Sequence, residues 1–172
     1  GTSQPAPVTR ASRQRRTKLT VEQLEFRLAP AMTVNTLTDG NVADTFLSLR
    51  EAVLLANHGG NAQAALGRQL TQEEQAQIEG AGLIRFDNSL SGGITLSQGS
   101  LSVTGNVSIE GPRAGQLTIS SPPETRVFAV ATGGYLALDG VTITVGGISN
   151  AGVLYIINST LSDNSAEKGG AI

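Results

Sequence analysis

Residues 135–143, YLALDGVTI, and residues 153–161, VLYIINSTL, share one pattern of apolar and polar positions. Each segment has two apolar positions separated by one residue, a corner that contains Gly or Asn, and further apolar positions. A shift of eighteen residues superposes the segments and pairs Leu136 with Leu154, Leu138 with Ile156, and Ile143 with Leu161. A repeat of this kind indicates stacked structural units.

An earlier part of the chain repeats the pattern at a longer distance. Residues 99–111 superpose on residues 134–146 with a gap of one residue. This alignment pairs Leu101 with Leu136, Val103 with Leu138, Val107 with Val141, and Ile109 with Ile143. We therefore predict that these residues occupy equivalent positions in successive units.

A parallel β-solenoid explains both the repeat and the composition. In such a fold, inward side chains stack on those of the next unit and backbone hydrogen bonds run between units. The chain has 21 Gly among 172 residues and only 3% aromatic residues. Gly tolerates the positive φ that tight corners require. An antiparallel β-sandwich has a similar composition and is the alternative, although nothing in it requires a repeated apolar register.

Short alternating segments predict nine strands from residue 83 onward. They are Leu83–Phe86, Ile94–Leu96, Leu101–Val103, Val107–Ile109, Leu117–Ile119, Val127–Val130, Tyr135–Leu138, Val141–Ile143 and Val153–Ile157.

Two capping boxes predict helices before these strands. Ser48 with Glu51 predicts a helix over residues 48–57, which is marginal alone and should cover an apolar surface. Thr71 with Glu74 predicts a second helix, to about residue 78, within a surface insertion at residues 61–80. His58, at the end of the first helix, is expected to contact the helix dipole or solvent rather than to act as a ligand or base.

Charge divides the chain in two. The first 27 positions hold six basic residues and two acidic ones, whereas residues 28–172 hold six basic and twelve acidic ones. The body therefore has no basic face for nucleic acid, and residues 1–31 are expected to be a disordered basic leader of the export type.

The absence of cysteine excludes disulfides and zinc-thiolate sites, and no apolar run is long enough to cross a membrane as a helix. We expect no cofactor and no metal.

Two resemblances follow from short motifs. Residues 24–31, LEFRLAPA, resemble the LExRLAPA signature of exported or surface proteins of bacteria, and Ala29-Pro30-Ala31 has the small-x-small form of a cleavage site. The second resemblance is to CSLREAI-type right-handed parallel β-helix proteins of bacterial surfaces. It is carried by residues 34–36, 39–40, 48–53, 56–57, 84–87, 109–112, 117–119, 126–128, 140–143, 158–166 and 169–172. Leu47 stands where the named motif has Cys.

This resemblance implies a mainly β chain that folds as a right-handed parallel β-helix, a solenoid of the pectin lyase-like type, with an N-terminal capping α-helix at residues 48–57. The expected organisation is a leader at residues 1–31, a cap at residues 32–82 and β-helix units at residues 83–172. The last repeat is incomplete, so we expect an N-terminal fragment of a longer protein whose exposed last unit can self-associate.

The pattern of carboxylates does not predict an enzyme. Asp87, Glu110, Glu124, Asp139, Asp163 and Glu167 are scattered singly along the sequence. A lyase needs clustered carboxylates for Ca²⁺, and a glycosidase needs a pair of them. Residues 39–44, DGNVAD, could hold Ca²⁺ loosely but fit a turn better.

Tyr135 and Tyr155 align at the shift of eighteen residues and are the candidate carbohydrate contacts, if they face outward. We expect a non-catalytic scaffold or adhesin-like stalk, extracellular or at the cell surface, that contacts a surface polysaccharide or another protein. The alternative is the N-terminal part of a polysaccharide lyase or glycoside hydrolase whose catalytic units lie further along the chain.

Overall fold

The computed structural model describes residues 1–4, 29–164 and 172. Most of the predicted leader and residues 165–171 lie outside the described residues. The described chain contains three helices, α1 (Leu49–Asn57), α2 (Ala62–Leu66) and α3 (Gln72–Gln75). Its strands are β1 (Met32–Val34), β2 (Leu83–Phe86), β3 (Gly92–Thr95), β4 (Leu101–Val103), β5 (Asn106–Glu110), β6 (Leu117–Ser120), β7 (Phe128–Val130), β8 (Tyr135–Asp139), β9 (Thr142–Thr144), β10 (Ile148–Asn150), β11 (Val153–Ile157) and β12 (Thr160–Ser162).

The strands form three sheets. The five-stranded sheet has the order β1-β2-β5-β8-β11, the four-stranded sheet β12-β9-β6-β3, and the three-stranded sheet β10-β7-β4. From β2 onward, successive strands enter the five-, four- and three-stranded sheets in strict rotation. The protein is therefore mainly β with parallel sheets, an arrangement compatible with a β-solenoid.

The pairing of strands excludes the antiparallel sandwich for the described residues. Each ladder between the named strands is parallel. One isolated antiparallel bridge joins Met32 to Ile78, beside β1. Within residues 29–164 there is neither a closed barrel nor a helical bundle.

The register predicted from the shift of eighteen residues is confirmed. β8 pairs with β11 so that Leu136 lies opposite Leu154 and Leu138 opposite Ile156. β9 pairs with β12 so that Ile143 lies opposite Leu161. The corners repeat as well, because Gly140 and Asn158 both have positive φ, at 67° and 47°.

The longer alignment, of residues 99–111 with residues 134–146, is wrong. Leu101 lies opposite Phe128 and Val103 opposite Val130, both in the three-stranded sheet. Val107 lies opposite Leu136 and Ile109 opposite Leu138. The alignment had matched β4 to β8 and β5 to β9. It thus matched a strand of the three-stranded sheet to one of the five-stranded sheet, and a strand of the five-stranded sheet to one of the four-stranded sheet. Since all three sheets share the apolar-x-apolar pattern, apolarity alone does not identify the sheet to which a strand belongs.

Three strands, β1, β10 and β12, were not among the nine predicted. β1 pairs with β2, but the whole helical region separates the two strands in the sequence. No repeat close to β1 in the sequence therefore indicates that it is a strand. β10 contributes one buried residue, Ile148, and β12 is a three-residue strand with polar outer positions. Such short strands are specified by their neighbours in the sheet more than by their own sequence.

Inward side chains form continuous stacks through the three sheets. The five-stranded sheet stacks Met32, Ile84, Ile109, Leu138 and Ile156. The four-stranded sheet stacks Ile94, Ile119, Ile143 and Leu161, and the three-stranded sheet stacks Leu101, Phe128 and Ile148. Most of these side chains are fully buried, and each such burial contributes about 1.5–3 kcal/mol.

Helix α1 is fixed at both ends. Its capping box is complete, because the Ser48 side chain accepts from the Glu51 N–H and the Glu51 carboxylate accepts from the Ser48 N–H. At the other end, the Asn57 amide donates to the Ser102 carbonyl at 2.7 Å and accepts from the N–H groups of Thr104 and Gly105. The helix thus lies against the β4–β5 connection. His58 closes the helix, with its Nδ1 2.9 Å from the Leu54 carbonyl.

Arg68 joins the two predicted capping boxes, a connection that the sequence did not predict. Its guanidinium donates to Glu51 at 2.7 Å and to both carboxylate oxygens of Glu74 at 2.7 and 2.8 Å. Glu74 also accepts from the Thr71 N–H at the start of α3. The predicted second helix is shorter than expected, since α3 spans only Gln72–Gln75 and α2 precedes it. Residues 61–80 are therefore held to α1 by an ion-pair cluster.

Residues 29–31, of the small-x-small motif, belong to the folded domain. The Glu79 N–H donates to the Ala31 carbonyl at 2.9 Å, and Arg85 donates to the Ala29 carbonyl at 2.9 Å. Ala31 is buried and the next residue, Met32, is fully buried. Cleavage after Ala31 would place a charged amino group on a buried residue, at a high desolvation cost.

We expect stability to fall at acidic pH through Glu74. Desolvation by burial raises the pKa of this carboxyl, but hydrogen bonds from Arg68 and Thr71 outweigh burial and hold the pKa below its usual 4.5. The ionised group therefore stabilises the fold above pH 4.5, and this contribution is lost as the pH falls through the lower folded pKa. The Glu74→Gln variant should lose about 2 kcal/mol at pH 7 and show a weaker loss on acidification. Urea unfolding between pH 7 and 3 measures both.

Glu73→Gln is the matched control, because Glu73 precedes Glu74 in α3 and is exposed. This variant should follow the wild-type pH curve. Parallel curves for Glu74→Gln and the wild type would contradict the role given to Glu74.

The folded protein should resist cleavage between Ala31 and Met32. A peptidase binds its substrate as an extended chain, and the backbone of Ala31 is already paired with Glu79. Elastase, which cleaves after small residues, should cut this bond in urea-unfolded protein and spare it in folded protein, as read by mass spectrometry. Equal rates of cleavage at this bond in the two states would show that residues 29–31 are not part of the fold.

Candidate functional site

Outward side chains of the five-stranded sheet lie in three rows that cross its strands. Burial alternates along each strand, so every second residue faces outward. The register places these residues in rows of Asn106, Tyr135 and Val153, of Leu83, Ser108, Ala137 and Tyr155, and of Arg85, Glu110, Asp139 and Ile157. This outer face is the surface on which the candidate carbohydrate contacts lie.

Tyr135 and Tyr155, the only tyrosines in the sequence, touch each other on this face. Their ring centroids are 5.6 Å apart and the ring planes are tilted by 42°. Tyr135 begins β8 and is half-buried, whereas Tyr155 lies in the middle of β11 and is 53% exposed. Val153 and Ile157 flank Tyr155 and are 47% and 50% exposed. The two tyrosines therefore form one exposed aromatic platform.

A shallow groove of about 690 Å³ adjoins this platform. It lies over β5 and is lined by Gly82, Leu83, Asn106, Ser108, Glu110 and Tyr135. Tyr135 forms part of its wall, and Tyr155, on the next strand, contacts Tyr135 beside the groove. Asn106, Ser108 and Glu110 were not predicted as site residues. Their alternation with buried Val107 and Ile109 could have indicated that they face outward.

The third row brings acidic residues together. Glu110 and Asp139 are register partners on neighbouring strands, β5 and β8. The expectation that these carboxylates are scattered singly is thus wrong for this pair, because the misassigned register had separated them. Arg85 donates to Glu110 at 2.7 Å and to the Ala29 carbonyl, while Asn158 donates to Asp139 at 3.0 Å.

The predicted turn at residues 39–44 is built around Asp39. Its carboxylate accepts from Arg50 at 2.6 and 3.0 Å and from the N–H groups of Ser97 and Gln98 at 2.6 and 3.1 Å. Burial raises the pKa of Asp39, but these hydrogen bonds outweigh burial and lower the pKa below 3.8. The carboxylate joins the start of α1 to the β3–β4 connection. Among the residues that the structure describes, no three acidic or histidine side chains converge to hold a metal ion.

A smaller cavity of about 250 Å³ lies beside the start of α1. Its deeper polar groups are already bonded, because Ser48 donates to the Gly40 carbonyl and Glu51 accepts from the Val42 N–H. Val42 and Phe46 line it and are 61% and 48% exposed. The groove on the five-stranded sheet is the larger of these two cavities and contains the aromatic platform.

Comparisons with known proteins give no family for the chain. No protein-family model, no curated protein and no solved structure matches it. Within the described part of the chain, every helix falls short of the length and apolarity that a membrane crossing requires.

Replacing the tyrosines should affect stability much less than replacing their inward neighbours. Tyr155→Ala should cost about 1 kcal/mol or less, because Tyr155 is 53% exposed and its ring–ring contact with Tyr135 contributes little. Leu138→Ala should cost about 3 kcal/mol, because Leu138 is fully buried between Ile109 and Ile156. Urea unfolding of the two variants tests the assignment of faces. A larger loss for Tyr155→Ala than for Leu138→Ala would reverse this assignment.

Proposed function

We propose that the chain is a right-handed parallel β-helix of the CSLREAI type, exported to a bacterial surface. In this proposal it is a non-catalytic scaffold that contacts polysaccharide through the outer face of its five-stranded sheet. Helix α1 covers one end of the β-helix, and the platform of Tyr135 and Tyr155 provides the contact.

The rotation of successive strands among three parallel sheets supports the β-helix. Such a chain passes through the three sheets in turn and then returns to the first sheet, in register with its previous strand there. Each turn therefore advances the chain by one strand spacing, about 4.8 Å. The contacts of α1 support its role as a cap. Asn57 forms hydrogen bonds with the β4–β5 connection, and Arg50 donates to the Gly99 carbonyl at 2.7 Å. The helix therefore forms hydrogen bonds with backbone groups that are not paired with a neighbouring strand.

The contact between Tyr135 and Tyr155 beside a mainly apolar groove that also contains Asn106 and Ser108 is the observation that carries the polysaccharide proposal. Tyrosine rings stack on the apolar faces of sugar rings and also offer a hydroxyl. Asn106 and Ser108 line the groove and can exchange hydrogen bonds with sugar hydroxyls. A shallow groove that continues across strands suits an extended chain better than a compact ligand.

The register of Glu110 and Asp139 favours one alternative, a carbohydrate-active enzyme. Two carboxylates about 5–9.5 Å apart can serve as the acid and the nucleophile or base of a glycosidase. In this structure Glu110 is paired with Arg85, and Asp139 accepts from the Asn158 amide. Both carboxylates therefore already have hydrogen-bond partners that hold them in place, which suits a structural role better than proton transfer.

A glycan array combined with an assay for reducing ends tests both functions. We expect the wild type to bind at least one polysaccharide class without releasing reducing ends. The Tyr135→Ala/Tyr155→Ala variant should lose about 5- to 150-fold in affinity, since stacking on two rings contributes about 1–3 kcal/mol. Tyr155→Phe is the matched control and should keep most of the binding.

Turnover that is lost in Glu110→Gln would establish the enzyme instead of the scaffold. Binding that is unchanged in the double tyrosine variant would remove the platform from the proposal.

A further inference from the structure

We propose that the groove over β5 selects uncharged glycan chains and excludes polyuronates. This inference rests on the proposed function, because it assumes that the groove binds polysaccharide, and it adds the chemical class of the ligand. It is carried by the charges that the register brings to the groove. Composition alone does not reveal them, because Glu110 and Asp139 are far apart in the sequence.

The groove is acidic at the end formed by the third row. Glu110 lines it, and Asp139 is the register partner of Glu110 on the next strand. Arg85 is the cation of this row, and its guanidinium already donates to Glu110 and to the Ala29 carbonyl. A uronate carboxylate placed here would meet two like charges beside a cation that is already engaged, and like charges brought together are strongly unfavourable.

The rest of the groove presents neutral groups. Asn106 provides an amide that both donates and accepts, and Ser108 provides a hydroxyl. Leu83 and Tyr135 belong to β2 and β8, the strands on either side of β5, and supply apolar surface for the faces of sugar rings. Amide, hydroxyl and aromatic groups match the hydroxyls and N-acetyl groups of neutral glycans, and none of them carries a positive charge that would offset the desolvation of a carboxylate.

The charge of the whole domain acts in the same direction. Residues 28–172 carry six basic and twelve acidic side chains, an excess of six negative charges. Long-range repulsion slows the approach of an anionic polymer, and added salt screens this effect. Local electrostatics and the net charge of residues 28–172 therefore both disfavour polyuronates, although the basic first 27 residues reduce the net charge of the chain to −2.

The two tyrosines make the test direct, because they are the only ones in the protein and both belong to the platform. Protein labelled with 19F-tyrosine should show one resonance from each ring, and each resonance reports on the site. The probes are cellohexaose and chitohexaose as uncharged chains and hexagalacturonate as the anionic chain. At least one uncharged chain should shift both resonances at low salt, and hexagalacturonate should bind at least about tenfold more weakly.

Removing the acidic charge should relax this selection. In Glu110→Gln, Arg85 loses its carboxylate partner and keeps only the Ala29 carbonyl, so its charge is available to a uronate. The affinity for hexagalacturonate should therefore rise about tenfold relative to the affinity for the uncharged chain. Glu73→Gln is the matched control, because it removes the same charge from α3, and Glu73 is not among the residues that line the groove. In this control the preference should stay as in the wild type.

The outcomes separate the two proposals. Tyrosine shifts of equal size with hexagalacturonate and the uncharged chains would overturn the selectivity and leave the polysaccharide function standing. A preference for hexagalacturonate would also overturn the selectivity. Absence of shifts with all three probes, together with no binding on the glycan array, would overturn the proposed function itself.

Discussion

Aliphatic side chains that face inward stack from strand to strand in each of the three sheets, and this stacking sets the register of the backbone hydrogen bonds. Ile94, Ile119 and Ile143 illustrate it, since each is fully buried directly opposite the next. A slip of one residue would turn every side chain of a strand to the opposite face, so the inward stack determines the outward rows as well. The contact of Tyr135 with Tyr155 and the pairing of Glu110 with Asp139 both follow from this register.

The sequence predicted the parts of the fold that depend on local spacing. The repeat of eighteen residues gave the pairing of β8 with β11 and of β9 with β12, because no insertion interrupts these turns. The capping boxes gave the starts of α1 and α3. The earlier turns are longer, as the spacing of 25 residues between Thr95 and Ser120 shows, and unequal corner loops hid the register there. That error separated Glu110 from Asp139, which is why the acidic row of the groove was missed.

Sequence patterns also did not predict the polar contacts between residues far apart in the sequence. Arg68 bonds Glu51 and Glu74 through a fold that brings two capping boxes together, and neither box predicts a shared partner. Asp39 similarly satisfies Arg50 and two backbone N–H groups of a distant connection. Asp39 joins the helical region to the β3–β4 connection, and Glu51 and Glu74 hold parts of the helical region together. The carboxylates of the third row lie on the outer face instead. Among the described residues, the outer face of the five-stranded sheet leaves Val153, Tyr155 and Ile157 exposed.

The central claim is that the parallel strands stack in register. Disulfide formation tests this claim directly, because the chain has no cysteine of its own that could interfere. Ala129 and Ser149 face outward on β7 and β10 and lie directly opposite each other. Neighbouring strands place their Cα atoms about 4.8 Å apart, within the range that a disulfide spans. The Ala129→Cys/Ser149→Cys variant should form an intramolecular disulfide rapidly under mild oxidation. The Ala131→Cys/Ser149→Cys variant is two residues out of register and should not. Faster closure of the second pair than of the first would contradict the register on which the groove and the platform depend.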